Sequence, residues 1–124
     1  MDSLRAKVSP VSQSGFISAN ETLDLVIFLY NATTLETINA GTPTWETSIP
    51  AEDGSVIIIP TGQHTVNDDG STAALQGKLT IAITAAQRKR IRRGREVPFT
   101  VKRTVGSTVK SYWGSFDEVR DAII

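Results

Sequence analysis

The residues most able to do chemistry in this chain form a single basic run. Six positive charges fall within the eight residues 88–95, interrupted only by Ile91 and Gly94. Clustered like charges repel one another, so the run predicts a compensating anionic partner. The alternative is a solvated corner that is anchored by Ile91 and offset by acids elsewhere in the fold. The predicted partner-binding cations are Arg88, Lys89, Arg90, Arg92, Arg93 and Arg95.

The formal net charge is zero, but the charges are unevenly distributed along the chain. Residues 1–75 hold nine acids and two bases, whereas residues 76–124 hold eleven bases and four acids. If the two halves interleave, these charges complement each other inside one fold. If they do not, an acidic and a basic surface favour contact with a partner or a second copy. No aromatic residue interrupts the basic run to stack on bases, which argues against nucleic acid as the partner.

Catalytic and metal-binding groups are scarce. His64 is the only histidine, and its polar surroundings predict an exposed loop or strand position. The segment Asp68-Asp69-Gly70-Ser71 is similar to the start of a calcium loop but lacks the alternating acids and the closing Glu. The chain has no cysteine, which excludes a thiolate site. We therefore expect no enzyme activity, no metal and no cofactor.

The elements that must position the basic run are short strands. Alternating or β-branched apolar residues bounded by turn signals predict about seven strands and a β-sandwich. Apolar residues on both faces of 22–31 predict a central strand, or one whose second face meets another subunit. Trp45 and Trp113 are expected in the core; exposure of both on one face would indicate a carbohydrate-binding surface. The clearest strand segments are 22–31, 38–49, 56–59, 78–83, 97–102 and 108–116.

One short helix is predicted at 84–91. Thr84 can cap its N-terminus, and Gln87 three residues later completes a capping box. The basic residues lie in its last turn, where positive charge interacts favourably with the helix dipole, and Gly94 ends the helical corner.

The N-terminal residues predict a separate arm. Residues 1–15 are rich in serine and carry only a brief alternation of Leu4, Ala6 and Val8, so we expect an arm that orders against a partner, or a weak edge strand. Leu4 and Val8 are therefore predicted partner contacts, and residues 16–124 the folded domain. The first five residues have no apolar segment, and the run 25–30 is too short to cross a bilayer, so neither a secretory signal nor membrane insertion is expected.

The second half of the chain resembles a known module. Residues 79–87 (Leu-Thr-Ile-Ala-Ile-Thr-Ala-Ala-Gln), Gly94, Phe99-Thr100-Val101 and the stretch from Trp113 to Val119 carry the resemblance. They are similar to an immunoglobulin-like module of tailed-bacteriophage virion proteins, in which a strand, a Thr-Ala-Ala-Gln corner, an alternating strand and a hairpin ending in Gly-x-Phe follow one another. The likeness covers roughly residues 20–119.

The resemblance implies a fold, a role and a location. The fold would be all-β, an immunoglobulin-like antiparallel β-sandwich with the helix at 84–91. The role would be that of a non-enzymatic virion structural protein of the capsid decoration or cement type. It would bind the major capsid protein or other virion proteins in several copies, and its place would be the virion. The alternative is a tail, baseplate or fibre module that joins tail proteins or binds host-surface glycans.

Overall fold

The chain is built almost entirely from β-strands in a computed structural model that describes residues 4–8 and 22–118. The six-residue helix α1 (Ala85–Arg90) joins two of the strands. No helix in these two described ranges is long and apolar enough to cross a membrane. The predicted all-β class with one short helix is therefore confirmed. The strands are β1 (Leu4–Val8), β2 (Leu23–Asn31), β3 (Thr34–Leu35), β4 (Thr44–Pro50), β5 (Val56–Ile59), β6 (His64–Val66), β7 (Lys78–Ile83), β8 (Gly94–Val105) and β9 (Thr108–Glu118).

Hydrogen bonds connect these nine described strands into one curled sheet. Its order is β5-β4-β8-β9-β1-β2-β7-β6, with β3 paired to β2. The division into two separate sheets, which the immunoglobulin-like prediction requires, is not confirmed by this pattern. All strand pairs are antiparallel except β1 with β9, which is parallel. Because β1 pairs with β9 on one side and with β2 on the other, it joins the two halves into a continuous sheet.

The predicted N-terminal arm contains this connecting strand. Every residue of β1 pairs with β2, from Leu4 opposite Asn31 to Val8 opposite Ile27. Ala6 is buried, and Leu4 and Val8 are half-buried against the core. The alternation of these three residues thus marks a strand inside the sheet instead of an edge strand or a loose arm. The rest of the predicted arm, residues 1–3 and 9–15, lies outside the described ranges.

The inward faces of the strands supply the core, since alternate side chains of a strand point to opposite faces. On β2 the inward residues are fully or nearly fully buried, whereas the outward Val26, Phe28 and Tyr30 are half-buried. Burial of each large apolar side chain stabilises the fold by roughly 1.5–3 kcal/mol. The core also includes Trp45 of β4, as predicted, and Tyr112 of β9.

Candidate partner-binding site

The helix that carries the first part of the basic run 88–95 begins with the predicted capping box. The backbone N–H of Gln87 donates to Thr84 Oγ1 at 3.1 Å, and the N–H of Thr84 donates to Gln87 Oε1 at 3.0 Å. These bonds satisfy donors that have no partner inside the first turn of a helix. The helix ends where Ile91 takes an extended backbone, with φ −64° and ψ 136°. The predicted helix at 84–91 is confirmed, with Thr84 and Ile91 as its caps.

Backbone contacts fix this corner to the end of β4. The N–H of Glu52 donates to the carbonyl of Arg90 at 2.9 Å, and the N–H of Arg92 donates to the carbonyl of Pro50 at 3.0 Å. Between them, Ala51 and Ile91 form a β-bridge. Ile91 is fully buried, so it is the apolar anchor that the sequence predicted. The cations therefore project from a rigid backbone.

Arg88 does not belong to the exposed part of the corner. Its side chain is 1% exposed and is among the largest fully buried side chains of the protein. Residues three apart share one face of a helix, so Arg88 points to the same side as buried Ile91. A count of charges along the run treats every cation as exposed and cannot detect this inward face. We therefore remove Arg88 from the predicted partner-binding surface.

The remaining five cations are exposed, and we call them the basic corner. Two of them meet the acidic turn between β4 and β5. The Arg93 Nε lies 3.5 Å from Glu52 Oε1, with side chains 60% and 53% exposed, and Arg90 Nη2 donates to Ser55 Oγ at 3.3 Å. The two halves of the chain thus complement each other here in part. The basic corner consists of Lys89, Arg90, Arg92, Arg93 and Arg95.

Two further acids lie where the basic corner continues into β8. The register of β8 with β9 shifts between Gly94 and Val97, which marks a bulge. At this bulge Glu96 has a positive φ of 53°, and its N–H donates to Asp117 Oδ1 at 2.9 Å. The side chains of Arg92 and Arg95 form no hydrogen bond or ion pair with any described residue. These two guanidinium groups are the ones most available to a partner.

Leu4 and Val8, the apolar residues of the predicted site, lie apart from this surface. Both are half-buried in β1 and pack against the core. Their contacts are thus made within the fold, and the structure does not join them to the basic corner in one exposed patch.

His64 has a structural position. Its Nδ1 lies 2.8 Å from the carbonyl oxygen of Pro60 and its Nε2 lies 2.7 Å from Thr47 Oγ1. A carbonyl only accepts, so Nδ1 carries the proton and Nε2 accepts from the threonine hydroxyl. The ring also stacks on Trp45 at 6.3 Å, and burial lowers the pKa of His64. His64 is therefore a half-buried strand residue with both nitrogens engaged, and not the exposed one that its polar neighbours predicted.

The loop that resembles a calcium site is built around Asp68. Its buried carboxylate accepts from the N–H groups of Ile38 (3.1 Å), Gly70 (2.9 Å) and Gly77 (3.0 Å). Burial raises the pKa of Asp68, but these three donors outweigh it and hold the pKa below its usual range. The carboxylate thus connects the loop to the start of β7. In the described ranges no cluster of three or more His, Asp or Glu residues could hold a metal ion.

The two tryptophans have opposite environments. Trp45 is 4% exposed in the core, whereas Trp113 is 59% exposed on the outer face of β9. Trp113 stands opposite Thr100 of β8 in the strand register, and Ser111 and Ser115 share its face of β9. The two tryptophans therefore do not share one exposed face, but the ring of Trp113 does stand among small hydroxyl side chains. Strand alternation indicates which face Trp113 occupies, but not that this face is uncovered.

A polar cluster inside the sheet was not predicted from the sequence. The Tyr112 hydroxyl donates to Glu36 Oε1 at 3.0 Å, and Lys110 Nζ lies 3.1 Å from the same oxygen. Burial, together with the negative charge of Glu36, raises the pKa of Tyr112 to about 12. Glu36 follows β3 and is 76 residues from Tyr112 in sequence, so no local pattern connects the two.

Comparison with known proteins does not assign the chain to a family. No protein-family model matches it, and no curated protein matches it.

Proposed function

We propose that this protein is a non-enzymatic bacteriophage virion structural protein of the capsid decoration type, which binds the major capsid protein or another virion protein in several copies. The resemblance of residues 79–119 supports this proposal at the level of sequence. The single observation that carries it is the basic corner, where the backbone is hydrogen-bonded to β4 and the side chains of Arg92 and Arg95 form no hydrogen bond or ion pair with any described residue.

Arg93 can exchange its partner at little cost in free energy. Exposed ion pairs stabilise a fold by only about 0–1 kcal/mol, so the pair of Arg93 with Glu52 opens at little cost. An anionic surface can then engage Arg93 together with Arg92 and Arg95. Because the backbone of the corner is already ordered, little conformational entropy is lost on docking.

Binding to phage capsids tests the proposal directly. Purified protein is sedimented with empty and expanded capsids at increasing ionic strength. We expect binding that weakens as salt rises, because exposed charges are screened over about 8–10 Å near physiological salt. Absence from capsids, together with presence in isolated tails, would overturn the capsid assignment.

A charge-matched pair of variants locates the docking surface. Arg92→Gln/Arg95→Gln removes two charges from the basic corner, and Lys7→Gln/Lys102→Gln removes two exposed charges elsewhere. The first variant should lose at least about tenfold in affinity, equivalent to roughly 1.4 kcal/mol. The second should bind nearly as the unmodified protein does. Equal losses would show that net charge, and not the basic corner, controls binding.

A second candidate is a tail, baseplate or fibre module that binds host-surface glycans. The exposed ring of Trp113 among Thr100, Ser111 and Ser115 favours it, because sugar rings stack on aromatic faces and hydroxyl groups can bind their oxygens. Glycan-array binding that is lost in Trp113→Ala and kept in Val109→Ala would support this function. Val109 is the matched control, because it is equally exposed on the same face of β9 but has no ring.

A further inference from the structure

One edge of the end strand β5 has no partner among the described strands. The strand pairs with β4 and is the last strand of the sheet. The N–H of Ala51 donates to the carbonyl of Ser55, which makes Ala51 and Ser55 a hydrogen-bonded pair. Hydrogen-bonded and non-hydrogen-bonded pairs alternate along an antiparallel ladder, and Val56 and Ile58 stand opposite Pro50 and Ser48. The N–H and carbonyl groups of Val56 and Ile58 therefore point away from β4, toward the unpaired edge.

A second bond confirms this direction. The carbonyl of Pro50, which stands opposite Val56, accepts from the N–H of Arg92 on the far side of β4. The carbonyl of Pro50 thus points away from β5, and the backbone groups of Val56 point away from β4. No described residue hydrogen-bonds to the outward backbone groups of Val56 or Ile58.

The side chains at this edge are apolar and exposed. Val56 is 56% exposed and Ile58 is 48% exposed, and both lie on the outer face of the sheet. The opposite end strand, β6, instead exposes the polar Thr65. Native proteins usually protect sheet edges with charges or bulges, and β5 has neither.

We propose that β5 pairs with β5 of a second copy of this chain, antiparallel, about a two-fold axis at Ile57. In this register Val56 of one copy stands opposite Ile58 of the other. Each such pair exchanges hydrogen bonds through the outward backbone groups, because those groups belong to the same two residues on both copies. The four outward side chains then form one apolar patch across the junction. The outer face continues from β9 of one copy to β9 of the other.

The charges around β5 favour a copy of itself as the occupant. The strand Val-Ile-Ile-Ile is uncharged, so two copies meet without like-charge repulsion. The antiparallel register places the acidic turn Glu52-Asp53-Gly54 of one copy opposite the neutral Pro60-Thr61-Gly62 of the other. The interface is isologous, as a two-fold dimer requires.

The short strand also limits the strength of the dimer. A pairing of four residues buries well under the roughly 1,200 Å² of a standard interface. We therefore infer a weak dimer that forms when copies are concentrated, as they are in any multi-copy assembly. The inference goes beyond the proposed function, and its tests contain no virion partner, so the two can fail separately.

Sedimentation equilibrium tests the pairing. The mean mass should rise from one chain toward two between about 10 μM and about 1 mM, the range of a weak complex. Ile58→Lys should remain monomeric throughout, because it places two charges against the junction. Thr65→Lys, on the other end strand, should dimerise as the unmodified protein does. A protein that is monomeric at every concentration, or two variants that behave alike, would overturn the proposal.

Cross-linking tests the register. The chain has no cysteine, so Val56→Cys and Ile58→Cys each introduce one thiol. Opposite residues of a hydrogen-bonded pair lie about 5.5 Å apart at Cα, within the range of a disulfide. A mixture of the two variants should therefore yield more mixed disulfide than either variant yields homodimer. Equal yields from all three samples would contradict the proposed two-fold axis.

Discussion

Thr47 Oγ1 and His64 Nε2 lie 2.7 Å apart and connect β4 to β6, two strands that stand near opposite ends of the sheet. The hydroxyl of Thr61 accepts from the N–H of Trp45 at 3.0 Å and donates to its carbonyl at 2.8 Å, beside the same contact. Polar contacts thus link the curled sheet where its strand ladders do not. The only histidine of the chain belongs to this link, so its protonation should be measurable as a change in stability.

The free energy of unfolding should fall as the pH drops below 6.5. Burial lowers the pKa of His64 from its ordinary 6.5, so the unfolded chain binds a proton more readily than the folded one. The contribution of His64 is present above pH 6.5 and is lost as the pH falls through the lower, folded pKa. Urea unfolding between pH about 8 and about 5 measures this. In His64→Gln this fall should be absent; a variant with the same pH profile would show that His64 does not cause it.

Arg88 and Lys89 should differ strongly in their effect on stability. Arg88→Met removes a buried guanidinium together with the interaction that it makes in the folded protein, which should cost roughly 2–4 kcal/mol. Lys89→Met, at the neighbouring exposed position, should change stability by no more than about 0.5 kcal/mol. Urea unfolding of the two variants provides the comparison. Equal effects would contradict the buried position of Arg88.

Local chemistry accounts for what the sequence predicted correctly. Thr84 and Gln87 are three residues apart, so their capping box is decided by the segment itself. The strand β2 lies between β1 and β7, as the apolar residues on both of its faces predicted, but those residues did not indicate which face is fully buried. The burial of Arg88 and the bond between Glu36 and Tyr112 depend on strands that are distant in sequence. The parallel pairing of β1 with β9 is also non-local, and no turn or alternation signals it. The edge of β5 could not be predicted either, because a β-branched run predicts a strand but not whether a neighbouring strand pairs with it.

Stability should decrease above pH 10 because of Tyr112. Burial and Glu36 raise its pKa from 10.0 to about 12. The neutral phenol is thus favoured in the folded state, and its contribution is full below pH 10 and lost as the pH rises through 12. A difference of two pKa units corresponds to roughly 2–3 kcal/mol. Urea unfolding of the native protein and of Tyr112→Phe isolates this effect from other titrations, since their difference in stability should shrink between pH about 10 and about 12. A difference that stays constant would contradict it.

Gly114 should be required for the pairing of β1 with β9. A Cβ at this position would overlap the carbonyl oxygen of Ala6 and lie 2.8 Å from the ring of Phe99. The backbone of Gly114 is ordinary strand, so the constraint is steric and not conformational. Gly114→Ala should therefore destabilise the fold by about 1–3 kcal/mol and increase amide hydrogen exchange in β1. Ser115→Ala, at the exposed neighbouring position, is the control and should do neither. Unchanged exchange in β1 of Gly114→Ala would mean that β1 does not approach β9 as closely as the structure places it.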